Sequence, residues 1–171
     1  MYGKKMTLWG LFAALFCISA WLCLPLGNLV FSLQTGVLFT ALFLLGGKAT
    51  SAVVFIYLLL GAVGLPVFSG FRGGIGMLLG PTGGYLVGFL ACSLLYWLLR
   101  PKTNRQKLLS ALLGLILCYC FGSLWFRLGY AKEASLWIIA LQTVIPYVIP
   151  DIIKLFLGFF LSKRLSAFLP A

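Results

Sequence analysis

The hydrophobic positions of this chain neither alternate nor recur on a single helical face. They run in long stretches broken by glycine, proline and basic residues. An apolar run of roughly 20 residues is what a helix needs to cross a bilayer. Six such segments emerge, over residues 7–24, 29–45, 50–65, 83–99, 108–128 and 134–161. The first stops at Pro25, Gly27 and Asn28, Gly46-Gly47-Lys48 divides the second from the third, and Arg100-Pro101 ends the fourth. Each break removes a backbone donor or adds backbone freedom that a helix tolerates poorly. The pattern predicts an all-α integral membrane protein, a compact bundle of six transmembrane helices forming one domain over residues 1–171.

Composition sharpens this. Of 171 residues, 63% are hydrophobic and 9% charged, whereas a soluble domain is about half apolar and about a quarter charged. At roughly 20 residues per span, six helices and their connections use the whole length and leave none for a soluble domain. The net charge of +11 comes from 13 Lys and Arg against two acids, Glu133 and Asp151. The cations lie between apolar runs and form no basic stripe interleaved with aromatics, so nucleic acid is not the expected partner. With the N-terminus inside, Lys4, Lys5, Lys48, Arg100, Lys102, Arg105, Lys107, Lys163 and Arg164 fall on the cytoplasmic side. Arg72, Arg127 and Lys132 fall outside, and Lys154 lies within the last span. That asymmetry follows the positive-inside bias, supports an even number of spans and places both termini in the cytoplasm. Lys4 and Lys5 ahead of an apolar run resemble a signal peptide, but the run continues past the weak Ile18-Ser19-Ala20 site, and we read a retained first helix.

The chain has no His, and its five cysteines sit in apolar segments without a C-x-x-C pair. Neither metal chemistry nor a disulfide is expected. Gly80-Pro-Thr-Gly-Gly is not followed by Lys-Ser/Thr, so the chain carries no ATP-hydrolysing phosphate loop.

Two features can carry chemistry. The last apolar segment holds Pro146, Pro150, Asp151 and Lys154, and a charge near the bilayer centre costs about 2.5 to 3.5 kcal/mol on insertion scales. Asp151 and Lys154, three apart, share a helical face and can pair. Pro150 suits the first turn of a restarted helix with Asp151 near its positive end, as in a broken-helix binding site. A structural ion pair, or a lysine snorkelling to the interface, is the plainer account. The second feature is the connection after the third span. It is rich in glycine (Gly61, Gly64, Gly70, Gly73, Gly74, Gly76 and Gly80), is broken by Pro66 and has Arg72 as its sole charge. An irregular apolar segment of this kind predicts a lid or re-entrant loop folded over the bundle, because unpaired backbone is tolerated only against protein or water. A flexible outer loop with Arg72 at the lipid headgroups is the alternative. A weaker signal is the small-residue spacing of Ala13 and Cys17 in the first span, where another helix can approach closely.

Gly64-Leu-Pro-Val-Phe68, Gly73-Gly74, Leu79-Gly-Pro-Thr-Gly-Gly-Tyr-Leu86 and Ile149-Pro-Asp-Ile-Ile-Lys154 together closely resemble the BioY family, the biotin-specific substrate-binding (S) components of energy-coupling factor (ECF) transporters. Leu33-Gln34-Thr35 is similar to that family's second-helix motif, although the prolines that precede it in the family are missing from Asn28-Leu-Val-Phe-Ser-Leu-Gln34. The resemblance implies a six-helix bundle with a biotin pocket near the outer face, roofed by loops. It implies Asp151, Lys154 and Tyr85 as pocket residues, with Gln34 and Arg72 beside them. It implies biotin as transported ligand and no cofactor, and as partners a transmembrane coupling protein and two cytoplasmic ABC-type ATPases. Docking on the coupling protein would use the first-helix patch, approximated here by Ala13 and Cys17. The other readings are an S component for another vitamin, a small membrane enzyme with Asp151 as base, and a scaffold subunit without a ligand.

Overall fold

The computed structural model describes residues 2–26 and 29–167. Its elements in chain order are α1 (Tyr2–Trp21), β1 (Cys23–Leu26), β2 (Leu29–Ser32), α2 (Gln34–Leu45), α3 (Gly47–Ala62), α4 (Ile75–Leu79), α5 (Gly83–Leu99), α6 (Asn104–Tyr130), α7 (Leu136–Thr143) and α8 (Ile145–Ser166). By length and composition α6 and α8 are long enough to cross a membrane. Residues 6–21 of α1, and α2, α3 and α5, are shorter apolar helices.

The helical expectation holds with two corrections. The apolar run after α1 does not simply continue as helix: Cys23 pairs with Ser32 and Leu26 with Leu29 in an antiparallel hairpin, so the second helix starts at Gln34 and not at residue 29. An apolar run of this length fits a strand or a helix equally well, and periodicity cannot separate them. The expected stop at Gly27 and Asn28 lies outside the described residues. The last apolar segment is two helices, not one, and the break falls at Val144, before Pro146. Pro146 occupies the first turn of α8, where its missing N–H costs nothing. Pro150, expected to restart the helix, lies inside α8, so Asp151 sits beyond the first turn.

Glycine sets the tightest approaches. Gly46 (φ 80°) makes the elbow between α2 and α3, a conformation that a side chain disfavours. Between α5 and α6 two glycine-cysteine contacts interlock. A Cβ on Gly88 would overlap Cys118, and one on Gly114 would overlap Cys92. A Cβ on Gly122 would overlap the Tyr85 ring. This is small-residue packing of membrane helices, read here from both sides of one interface. Phe16, Phe39, Tyr57 and Phe68 are fully buried at the centre, while Leu98, Ile149, Ile153, Leu157 and Phe160 face outward. The outer wall is apolar and the polar groups turn in, the reverse of a soluble protein.

Candidate functional site

The start of α2, the first half of α8, the start of α5, the middle of α6 and the α3–α5 connection surround a cavity of about 440 Å³. Ligand pockets for small molecules fall in this range. Its floor is polar, its side wall is Phe68, Leu86, Phe89 and Leu115, and its roof is the connection that carries Ser69, Gly70 and Arg72.

The floor is one hydrogen-bonded unit. Lys154 Nζ donates to Asp151 Oδ1 at 2.9 Å, to the Ser32 carbonyl at 2.7 Å and to Thr35 Oγ1 at 3.0 Å. It also lies 3.9 Å from the centroid of the Phe31 ring. Asp151 in turn accepts from Thr35 Oγ1 at 2.7 Å on Oδ1 and from the Tyr119 hydroxyl at 2.7 Å on Oδ2. Both charges are more than nine-tenths buried, at 4% and 8% exposure. Burial on that scale is tolerated only because every donor of the ammonium and both carboxylate oxygens have partners. The spacing on α8 supplies the pair, the first turn of α2 supplies Thr35, and the hairpin end supplies the Ser32 carbonyl.

Gln34 is held beside this unit. Its Nε2 donates to the buried Tyr57 hydroxyl at 2.7 Å, and its Oε1 accepts from Ser32 Oγ at 2.9 Å. Tyr85 donates to the Thr143 carbonyl at 3.2 Å, which ties α5 to the break before α8.

The roof is pinned from two sides. Trp21 Nε1 donates to the Pro66 carbonyl at 2.8 Å, and its ring stacks on Phe71 at 4.9 Å. At the other end Trp125 Nε1 donates to the Gly80 carbonyl at 3.0 Å and the Tyr130 hydroxyl to the Leu79 carbonyl at 2.6 Å. Phe68 turns down from the roof into the core, edge-on to Tyr57 and against Gly61, which has no room for a Cβ there. The connection therefore lies folded over the bundle, as its glycine content predicts. Arg72 is exposed and lines the cavity; its carbonyl accepts from the Phe68 N–H at 2.8 Å, but its guanidinium makes no hydrogen bond or ion pair among the described residues.

All five expected pocket residues, Asp151, Lys154, Tyr85, Gln34 and Arg72, line this one cavity. Sequence reading missed Ser32, Thr143, Tyr119 and Tyr147, which line it too. Thr35, quoted in the second-helix motif, emerges as the link between both charges. The expected docking patch of Ala13 and Cys17 lies on α1. Both are half-buried and pack against the core, since each follows a buried phenylalanine, Phe12 and Phe16, on α1. Gly3, Gly10 and Ala14 are exposed on the same helix.

A neutral ion pair under an unpaired guanidinium leaves the cavity with one uncompensated positive charge. It offers an apolar wall, hydroxyl and carboxylate groups at the bottom and a cation at the top. That arrangement suits a small molecule with a polar head, an apolar middle and an anionic tail.

The chain matches the BioY family over residues 2–171. It is 35% identical over 168 residues to a Pyrococcus horikoshii protein named Probable biotin transporter BioY, covering 97% of this chain and 98% of that one. To the biotin transporter BioY of Thermotoga maritima it is 39% identical over 159 residues, 92% of each chain. Its structure superposes with a TM-score of 0.85 and 28% identity on a crystal structure of the S-component for biotin from an ECF-type ABC transporter, covering 97% of this chain and 92% of that one.

Proposed function

The chain belongs to the BioY family, and from the cavity it encloses we propose that it is the biotin-binding S component of an ECF-type vitamin uptake transporter. It works as one six-span membrane unit with both termini cytoplasmic. It captures biotin at the outer face and delivers it inward with a coupling protein and two ABC-type ATPases.

Biotin carries a ureido ring, a thioether bicycle and a carboxylate tail. The ureido N–H groups need acceptors and its carbonyl needs a donor; the Asp151 carboxylate offers acceptors at the floor, and the Thr35 and Tyr119 O–H groups, which here donate to Asp151, are the hydroxyl donors that would turn to the carbonyl on binding. The bicycle lies against Phe68 and Phe89, and the carboxylate meets Arg72 at the mouth. The observation that carries this reading is the buried Asp151–Lys154 pair lining a ligand-sized cavity. Docking on the coupling protein falls to α1, where Ala13 and Cys17 let another helix approach closely.

Isothermal titration of the purified protein with biotin, with thiamine and riboflavin as controls, is the direct test. Saturable binding of biotin alone supports the proposal. Binding of another vitamin instead would reassign the ligand, and binding of none would leave the scaffold reading.

A further inference from the structure

At the opposite end of α3 and α5 from the biotin cavity lies a second, smaller cleft of about 310 Å³, and nothing in the vitamin-binding role uses it. Lys48, Arg100, Tyr96, Trp97 and Pro101 line it, together with the α2–α3 elbow. The helices are pressed together here, since a Cβ on Gly47 would overlap the backbone of Trp97.

The cleft has the makings of an anion site. Lys48 and Arg100 are exposed and have no acidic partner among the described residues. Asp151, one of the two acids, is committed to Lys154, and Glu133 lies on the α6–α7 connection. Tyr96 is only 3% exposed, lines the cleft, and its hydroxyl makes no hydrogen bond among the described residues. No buried side-chain polar atom is left without a partner among the described residues, so this hydroxyl keeps contact with the open cleft, where a ligand can meet it. The first N–H groups of α3 open at the same place and have no carbonyl one turn back to bond. Arg100 itself stands at φ 45°, the left-handed position after α5 that glycine fills most easily. There it closes the helix through its N–H to the Tyr96 carbonyl at 3.3 Å.

What surrounds the cleft identifies the ligand. Leu94, Trp97 and Leu98 follow at three- and four-residue spacing on α5, all exposed, Leu98 at 78%. They form an apolar strip leading from the cleft along the outer wall. Tryptophan and long cations at the end of such a strip mark the depth of the lipid headgroups. We infer that this cleft binds the phosphate of an anionic phospholipid, with Lys48, Arg100 and the Tyr96 hydroxyl on the headgroup and the acyl chains along Leu94 and Leu98.

Native mass spectrometry of the detergent-purified protein tests this, with phosphatidylglycerol and phosphatidylcholine added in turn. The wild type should retain phosphatidylglycerol preferentially, and inorganic phosphate should not displace it. Lys48→Ala/Arg100→Gly should weaken that retention about tenfold or more, with biotin titration unchanged because the vitamin cavity is at the other end. Lys102→Ala/Arg105→Ala, an equal loss of charge outside the cleft, should keep it. No preference in the wild type overturns the inference whatever the variants do. Displacement by inorganic phosphate overturns the lipid as the source. Equal loss in the control pair overturns the cleft in favour of diffuse surface charge.

Discussion

Thr35 and Asp151 stand 116 positions apart in the chain and 2.7 Å apart across the floor of the cavity. The same hydroxyl accepts from Lys154 at 3.0 Å, so one threonine joins α2 to both members of the charge pair. One residue along, Gly36 leaves the Lys154 stem lying against α2, where a Cβ would sit 3.7 Å from it. The site is therefore as much a helix junction as a binding surface.

Thr35→Val keeps the shape and removes the hydroxyl. Leaving the carboxylate and ammonium short of one partner costs about 1–3 kcal/mol. Biotin affinity by titration should fall about tenfold, and Thr35→Ser should recover most of it. Full wild-type affinity in the valine variant would show that the ligand does not depend on this floor.

Asp151→Asn and Lys154→Ala should each weaken biotin binding by at least about 1.4 kcal/mol, tenfold, in protein that still inserts. Binding and stability can be separated here. Removing one partner of a buried pair costs about 3–5 kcal/mol, whereas replacing both is often near neutral. Lys154→Met should therefore melt lower than Asp151→Asn/Lys154→Met, while both lose the vitamin. A double variant no more stable than the single would argue against a coupled pair.

Much of this was legible from the chain. The apolar runs place α3, α5 and α6 within a few residues, because their length and flanking breakers leave little choice. Asp151 and Lys154 announce themselves as charges in an apolar run. Tyr119 does not, since a tyrosine between two cysteines in an apolar helix carries no charge signal. Its only hint is its place beside Cys118 in the Gly114, Cys118, Gly122 spacing that faces α5. The hairpin was also missed, although Gly27-Asn28 between apolar runs is a two-residue turn sequence as much as a helix stop. Which face of α1 is open could not be read at all. Its small residues occur on more than one side, and only the packing of Phe12 and Phe16 decides.

The interlock of α5 and α6 gives a stability prediction independent of the ligand. Gly114→Ala should destabilise the protein by about 1–3 kcal/mol through overpacking. Cys92→Ala in the same chain should return part of that loss, because the cysteine sulfur is the nearest obstruction. Thermal melts of the two singles and the double form the cycle. Additive losses would mean that the two positions do not touch.

Trp21 holds the roof from α1, by a hydrogen bond to Pro66 and a stack on Phe71. Trp21→Phe deletes the donor and keeps an aromatic ring, a loss of about 1 kcal/mol. Since affinity changes within one site fall mainly on dissociation, stopped-flow release of biotin should quicken about fivefold with little change in association. A slowed association with unaltered release would instead make the tryptophan a gate that aids entry.

Arg72 carries the cavity's surplus charge, and its exposure makes it a test of ligand orientation. A charge-assisted bond to a carboxylate contributes about 1.5–3 kcal/mol, so Arg72→Gln should weaken biotin by about tenfold or more. An uncharged amide of biotin lacks the group that Arg72 would hold. It should therefore bind the wild type more weakly than biotin does, and bind Arg72→Gln no more weakly than it binds the wild type. The variant should narrow the gap between the two ligands. If the amide and the acid lose equally on substitution, Arg72 serves the roof and not the tail, and the carboxylate must be placed elsewhere in the cavity.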